Sequence, residues 1–391
     1  MKKKLSNLFG AENVSDKETD LEAYTYCASD KIQKPSLIVW PRSTEDVRKT
    51  ILRANQTRNP LIIRGKGTSK TNSCTGEDRI IISSERLNKI TRINLQKNFV
   101  ELEPGVTLAE LNQKLQRINR ALPLTPLSHA QSVGGMIALN TPGIESLRMG
   151  KAQDLVEELE FVDGTGKQYA VKDKDKMMPI TEGMAGFITR ARMKISEPPT
   201  LSCDLLCFEN ISDMLKKVRA LTKNIETYFL KFIDKKTSYD LGFGNNYTII
   251  AAYTSLIGAT RKREEVIKII KKARSIHKKI RERGYYYVLD PRVSLEKTYD
   301  LISWCEEKNL RLQGDVGTGN FYAYIHKQDQ KLLPVFRSFI RRINGRLGTA
   351  FGYGRLNKDF VNPVKKKKLM KIKEEYDYNN TLNPGIIISY R

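Results

Sequence analysis

A chain of 391 residues with 40% apolar residues, 25 Gly and 14 Pro has room for about two or three domains, which excludes a disordered or collagen-like polymer. Five cysteines without a CxxC pair argue against a disulfide framework and against iron–sulfur or zinc clusters in this chain, so a reducing cytoplasm is expected. The net charge of +24 is uneven, +7 over residues 1–200 and +17 beyond, a field that suits nucleic acid, anionic lipid, an acidic protein or an anionic substrate.

No Cys/His finger, RNP-type strand or Arg/aromatic cluster accompanies that charge, so no nucleic-acid partner is expected. Solvated lysine-rich helix faces explain it, with peripheral contact to an anionic membrane through the basic second half as the alternative. Met1–Asn7 has no apolar leader region, and the nearly uncharged stretch 247–260 is too short to span a bilayer. A soluble protein is expected.

In chain order, Leu37–Trp40 reads as a strand, and Ser43–Asp46 starts a helix with Val47, Ile51 and Leu52 on one face. Leu61–Arg64 is a strand running into a glycine loop, and Phe99–Glu103 is another. Thr107–Ile118 is a helix with a Thr107/Glu110 capping box. Leu155–Val162 and Lys167–Val171 form a hairpin around Asp163-Gly-Thr-Gly166, and Phe187–Ile195 closes the lobe. A boundary falls near Glu197-Pro-Pro199. Beyond it, helices over about 212–224, 263–280, 294–308 and 330–344 alternate with strands over about 226–234, 247–254, 285–290 and 320–326. That lack of a single parallel rhythm predicts an α+β cap on an antiparallel sheet. A charged helix near 363–377 ends in Asn379-Asn-Thr-Leu-Asn-Pro-Gly385.

Arg64, Gly65, Lys66, Gly67, Thr68 and Ser69 follow a strand and combine bare N–H groups, hydroxyls and cations, chemistry suited to a pyrophosphate. Ser132, Val133, Gly134, Gly135, Ala138 and Asn140 form a second glycine-led turn; Glu182, Gly183 and Ile188 belong to a third, Thr181-Glu-Gly-Met-Ala-Gly-Phe-Ile-Thr189. Arg148-Met-Gly150, Asp154 and Asp163-Gly164 continue the pattern, and Asn383 closes it in the tail. Together these stretches resemble the vanillyl-alcohol-oxidase-like, PCMH-type FAD-binding flavoproteins. The nearest branch is that of the D-2-hydroxyacid dehydrogenases and glycolate oxidase flavin subunits. The resemblance implies an α+β fold with an FAD-binding domain over 1–198 (core about 34–198), an antiparallel-sheet cap of the FAD-linked oxidase C-terminal type over 199–350, and a return segment over 351–391. It also implies non-covalent FAD, because Lys66 stands where covalent members carry a histidine. His129 reads either as a structural histidine or as a group near the flavin ring, and Cys74 as a turn residue.

The resemblance weakens at the branch's metal site. Gly314-Asp-Val-Gly-Thr-Gly-Asn320 and Phe321-Tyr-Ala-Tyr324 put Asp315 and Tyr322 where histidines belong, and Ala350–Arg355 lacks the Glu and His of the second motif. No metal is expected. On one strand face Tyr322, Tyr324 and His326 project together, and a phenol beside Arg355, with Tyr353 near, is a candidate base. The expected activity is hydride transfer from a small organic substrate, such as lactate or glycolate, to FAD, with electrons leaving to an iron–sulfur, quinone or other acceptor partner. The alternative is a flavin-carrying subunit without activity of its own. Aromatic packing against the flavin lobe is the competing reading of Tyr322 and Tyr324.

Overall fold

The computed structural model describes residues 2–27, 33–254 and 263–388. Its first sheet contains β1 (Val14–Ser15), β2 (Leu37–Val39), β3 (Leu61–Arg64) and β4 (Ile80–Ser83) in the order β1-β2-β4-β3, with β2 and β3 both parallel to β4. Parallel strands covered on both faces read as continuous apolar runs, as Leu-Ile-Val and Ile-Ile-Ile do here. They also require a crossover, supplied between β2 and β3 by the helix Thr44–Thr57. Ser43 caps that helix by accepting the Asp46 N–H at 3.1 Å. Val47, Thr50, Ile51 and Ala54 are its buried stripe; Leu52 is only half-buried.

The second sheet is antiparallel: β5 (Ile90–Asn94), β6 (Phe99–Leu102), β7 (Val156–Asp163), β8 (Gln168–Val171) and β9 (Gly186–Lys194), in the order β5-β6-β9-β7-β8. The β7–β8 turn is held by Asp163 Oδ1, which accepts from Thr165 N at 2.8 Å and Lys167 N at 2.9 Å. Both halves of the Thr107/Glu110 capping box form.

The cap sheet runs β10-β12-β11-β14-β15-β13, from β10 (Ser202–Phe208), β11 (Thr227–Ile233), β12 (Tyr247–Tyr253), β13 (Tyr287–Leu289), β14 (Arg311–Asp315) and β15 (Asn320–Ile325). The sequence reading missed β1, β4, β5, β10 and β14. Alternation decides what each cap face meets. Leu230, Phe232, Leu312, Phe321 and Ala323 enter a core with the helices Ile211–Lys223, Thr298–Glu307 and Leu332–Arg342. Their neighbours Phe229, Ile233, Tyr322 and Tyr324 enter the opposite core, which also takes Leu127, Ile144 and Met149 from the first lobe. Lys231, Gln313 and Asp315 alternate onto that same face.

The chain then returns. Leu61 N–H donates to Thr381 O at 2.7 Å and Asn383 N–H to Leu61 O at 2.8 Å, so the tail lies alongside β3. Lys373, 2% exposed, organises the tail by donating to Met184 O, Leu382 O and Asp377 Oδ2 at 2.6, 2.5 and 2.5 Å.

Candidate functional site

The three glycine turns and the tail converge on a cavity of about 740 Å³, part of it open to solvent. Gly65, Lys66, Gly67, Thr68 and Ser69 line it from the β3 loop, Ser132, Gly134, Gly135 and Ala138 from the second turn, Glu182, Gly183 and Ile188 from the third, and Asn383 from the tail. The close approach explains the glycines. A Cβ on Gly65 would lie 2.2 Å from Ser132 Oγ, and one on Gly134 would lie 2.5 Å from Pro104 Cβ. A Cβ on Gly135 meets only Ser132 Oγ, at 3.1 Å. Asn383 ties the parts together: Oδ1 accepts from Ile63 N at 2.7 Å and Nδ2 donates to Glu182 O at 2.7 Å.

Three expected cofactor residues lie behind the wall instead of in it. Arg64 is buried over the Tyr24 ring, 4.9 Å from its centroid, and donates to Cys74 O at 3.2 Å, so it braces the loop. Val133 is core. Asn140 ends the short helix Val133–Leu139 in the left-handed region, and its Oδ1 accepts from Gln153 N at 3.0 Å. Ser73, Cys74, Ser84 and Pro104 are wall residues that the sequence reading did not assign. They flank β4 and β6, and the first of these strands went unrecognised. Cys74 is thus more than a turn residue, although a hydrogen bond with Cys27 and burial push its thiol well above the ordinary range.

This wall fits a dinucleotide. It offers loop N–H groups, hydroxyls and Lys66 to a pyrophosphate, and Ile63, Leu139, Phe187 and Ile188 to a flat apolar ring. Among the described residues its one carboxylate, Glu182, faces the return segment, accepting from Tyr353 N at 2.5 Å and Gly354 N at 2.8 Å. Burial pushes Glu182 up to about 7.

A second cavity, about 600 Å³, lies between the cap sheet and the segment 125–144 whose middle lines the first. Lys231, Gln313, Asp315, Asn320, Tyr322 and His277 form the cap side. Register places them there: Lys231 pairs with Asp315, Asp315 with Asn320, and Gln313 with Tyr322 across β11, β14 and β15. Lys231, 4% exposed, makes no hydrogen bond or ion pair among the described residues; its Nζ is 5.9 Å from the Tyr322 ring centroid. Burial lowers this ammonium to about 8, against the pull of Asp315. Burial raises Asp315 to about 7, with the Thr318 hydroxyl and Lys231 opposing. His277 is lowered to about 3 by burial and nearby cations, and is therefore neutral.

Buried oxygens in this wall lack partners: Gln313 Oε1, Asp315 Oδ1 and Asn320 Oδ1.

Comparison with known proteins agrees with the first cavity. The family described as FAD binding domain matches residues 35–172. This part of the chain is an FAD binding domain. The chain is 26% identical over 252 residues to glycolate oxidase subunit GlcD of Bacillus subtilis (strain 168), covering 61% of this chain and 54% of that protein. It is 24% identical over 259 residues to the mitochondrial cytochrome-type D-lactate dehydrogenase of Arabidopsis thaliana, of which it covers 46%. The aligned region thus spans about half the length of those two relatives, whereas the D-lactate dehydrogenase of Anaerostipes hadrus, 23% identical, is matched over 90% of both chains. In fold, the chain is similar to p-cresol methylhydroxylase with substrate bound, with a TM-score of 0.77 at 15% identity over 99% of this chain and 96% of that one. FAD is the cofactor, and the α+β architecture is that of the PCMH-type flavoproteins.

With the FAD binding domain placed, the expected catalytic group needs correction. Arg355 is not beside Tyr322. Its Nη1 donates to Gln33 Oε1, Thr75 O and Asn72 O at 2.7, 2.9 and 3.2 Å, locking the loop after the FAD domain's first glycine turn. Burial and the nearby carboxylates Asp290 and Asp315 raise the Tyr322 phenol strongly, so it is no phenolate base. Tyr353 lines neither cavity; its backbone N–H holds Glu182 and its ring lies 4.9 Å below Lys365 Nζ. Tyr324 shares the face of Tyr322 but is spent on Gln313 Nε2 at 2.6 Å and His277 Nδ1 at 3.0 Å. His326 falls beyond the strand, where Nδ1 accepts from Gln328 N at 3.4 Å. Among the described residues no group of three or more His, Cys, Asp or Glu is arranged to hold a metal, and no helix is long and apolar enough to cross a membrane. The sequence reading missed Lys231 altogether, although a lysine centred in the apolar strand Thr-Tyr-Phe-Leu-Lys-Phe-Ile was a signal.

Proposed function

We propose that this chain is an FAD-dependent oxidoreductase acting on a CH–OH carbon of a small anionic substrate, held in the cap cavity beside the FAD domain. The observation that carries the reading is the buried, unpaired Lys231 facing Asp315 across a cavity that shares the segment 125–144 with the FAD cavity. The names of the relatives, a glycolate oxidase subunit and D-lactate dehydrogenases, support the same class.

Oxidation of such a carbon breaks one C–H and one O–H bond, forms C=O, delivers two electrons as hydride to FAD, and leaves the hydroxyl proton to a base. Lys231 binds the substrate's anionic group in a site where little water competes for it. Asp315, which lines the cavity and titrates near neutrality, takes the hydroxyl proton, as a base with its pKa near working pH does best. Thr318, donating to Asp315 Oδ2 at 2.8 Å, fixes the carboxylate's orientation. Tyr322 positions the substrate by packing. FAD is held without a covalent bond, and the electrons leave to a separate acceptor.

The test is anaerobic mixing of the FAD-loaded chain with a panel of small hydroxyacids, polyols and aldehydes. Bleaching of the oxidised flavin by a hydroxyl-bearing anion supports the reading. A flavin that stays oxidised with every compound, yet is reduced by dithionite, contradicts it and favours a flavin-carrying subunit.

A further inference from the structure

We infer that Cys27 and Cys74 form a redox-active dithiol that closes to a disulfide on oxidation by peroxide and staples the wall of the FAD cavity. Neither residue lines the cap cavity.

Two parts of the chain bring the sulfurs together. The helix Glu18–Thr25 lays Leu21 and Tyr24 into the core against Ile38, Ile62 and Ile81 of the parallel sheet, and Cys27 follows its end. Tyr24 carries the Arg64 guanidinium over its ring, and Arg64 Nη1 donates to Cys74 O at 3.2 Å. Gln33 fastens the same place from the other side. Its backbone N–H donates to Thr25 O at 3.2 Å, and its Oε1 accepts from Thr75 Oγ1 at 3.1 Å. Between these ties Cys27 and Cys74 are hydrogen-bonded thiol to thiol, and Cys27 Sγ also donates to Asn72 Oδ1 at 3.6 Å.

The two sulfurs differ in access. Cys74 is buried in the wall of the FAD cavity, whereas Cys27 is partly exposed. Arg64 Nη1 lies 3.9 Å from Cys74 Sγ, and the Arg355 guanidinium is near enough to interact with both sulfurs. Cations beside a partly exposed thiol favour its thiolate, the form that reacts. Burial and the Cys27 contact keep Cys74 protonated, so Cys27 attacks first and Cys74 resolves.

The Cys27 thiolate forms an S–O bond with peroxide, whose O–O bond breaks and releases hydroxide. The Cys74 sulfur then attacks the Cys27 sulfur; the S–S bond forms, the S–O bond breaks and a second hydroxide leaves. The two thiol protons turn both hydroxides into water, and the electron pair lost by the thiols is the pair gained by peroxide. The sulfurs close from hydrogen-bond contact to about 2.05 Å, a short movement for a residue just beyond a helix end. The new bond ties that helix end to the loop 72–75, which Arg355 already clamps through Asn72 O and Thr75 O.

The experiment treats the FAD-loaded, fully reduced chain with graded hydrogen peroxide, followed by non-reducing peptide mapping and melting curves. We expect Cys27 and Cys74 to be lost together as one cross-linked peptide that dithiothreitol reverses. The melting temperature should rise by about 3–5 °C, and Cys27→Ser should show neither change. In Cys74→Ser the Cys27 sulfenic acid should persist and be trapped by dimedone. Cys207, exposed and in contact with Phe243 O and Thr248 Oγ1, is the internal control. Cys27 left as a thiol, or carried on to sulfinic acid, at peroxide levels that oxidise Cys207 overturns the inference. A cross-link without a rise in melting temperature overturns the staple. The wild-type map decides the matter even if Cys74→Ser fails to fold.

Discussion

Replacing Lys231 by Met separates what the residue does for folding from what it does for the reaction. Burial lowers this ammonium from 10.5 to about 8, a shift worth about 3 kcal/mol at ~1.36 kcal/mol per unit. A folded-state pKa below the unfolded one penalises the fold at every pH below about 8, and the penalty fades as pH rises towards 10.5. Met fills similar volume without the charge, so apoprotein at pH 7 should gain up to about 3 kcal/mol. Part of this returns because Asp315 loses its cation, but a carboxyl titrating near 7 escapes by taking up a proton. The substrate, in contrast, loses a charge-assisted hydrogen bond of about 1.5–3 kcal/mol, which is roughly a 10- to 150-fold fall in kcat/KM. Urea unfolding of apoprotein at neutral and alkaline pH, beside stopped-flow flavin reduction, reads both. A variant that is less stable at neutral pH and reduces its flavin at the wild-type rate would refute the reasoning.

The paired glycines should behave differently. Gly134→Val drives its side chain into Pro104 and should destabilise the apoprotein by about 2 kcal/mol or more, whereas Gly135→Val should fold and weaken FAD affinity at least about tenfold. Melting temperatures and flavin titrations distinguish them; equal loss of stability in both would count against this account. Asp315 and Glu182 are both raised to about 7, so the stability they give is full near pH 4 and lost as pH rises through 7. Apoprotein unfolding midpoints should therefore fall between pH 5 and 8, less steeply in Asp315→Asn; an unchanged slope in that variant speaks against it. Lys373→Met leaves Asp377 buried and uncompensated and should cost about 3–5 kcal/mol. Urea unfolding that matches wild type would show that the tail is held otherwise.

The turns of the FAD cavity were legible because glycine at a close backbone approach leaves a mark in the sequence. The tail could likewise be read from Asn383-Pro-Gly385, though not the buried Lys373 that anchors it. What failed was adjacency across the chain. Arg355 and Tyr322 lie 33 positions apart in sequence, and nothing in either segment shows that the arginine turns towards Gln33 and Thr75. β14, Arg-Leu-Gln-Gly-Asp, escaped notice because its functional face is polar, so it lacks the apolar signature of a buried strand. Lys231 goes unnoticed among the lysines of a basic chain, although it is centred in a buried and largely apolar strand. Asp290, whose carboxylate accepts from Gly348, Ala350 and Phe351 N–H at 3.0, 2.7 and 2.8 Å, holds the return segment by contacts visible only in three dimensions.

On the proposed function, the cap cavity serves the FAD bound next to it and Asp315 takes the substrate proton. Single-turnover flavin reduction by Asp315→Asn tests it most directly, because the amide keeps shape and the Thr318 contact while losing the basic oxygen. FAD should bind one to one, with reduction slowed by about 10²- to 10⁴-fold, the usual worth of a positioned base. FAD retained and reduced at the wild-type rate would contradict it.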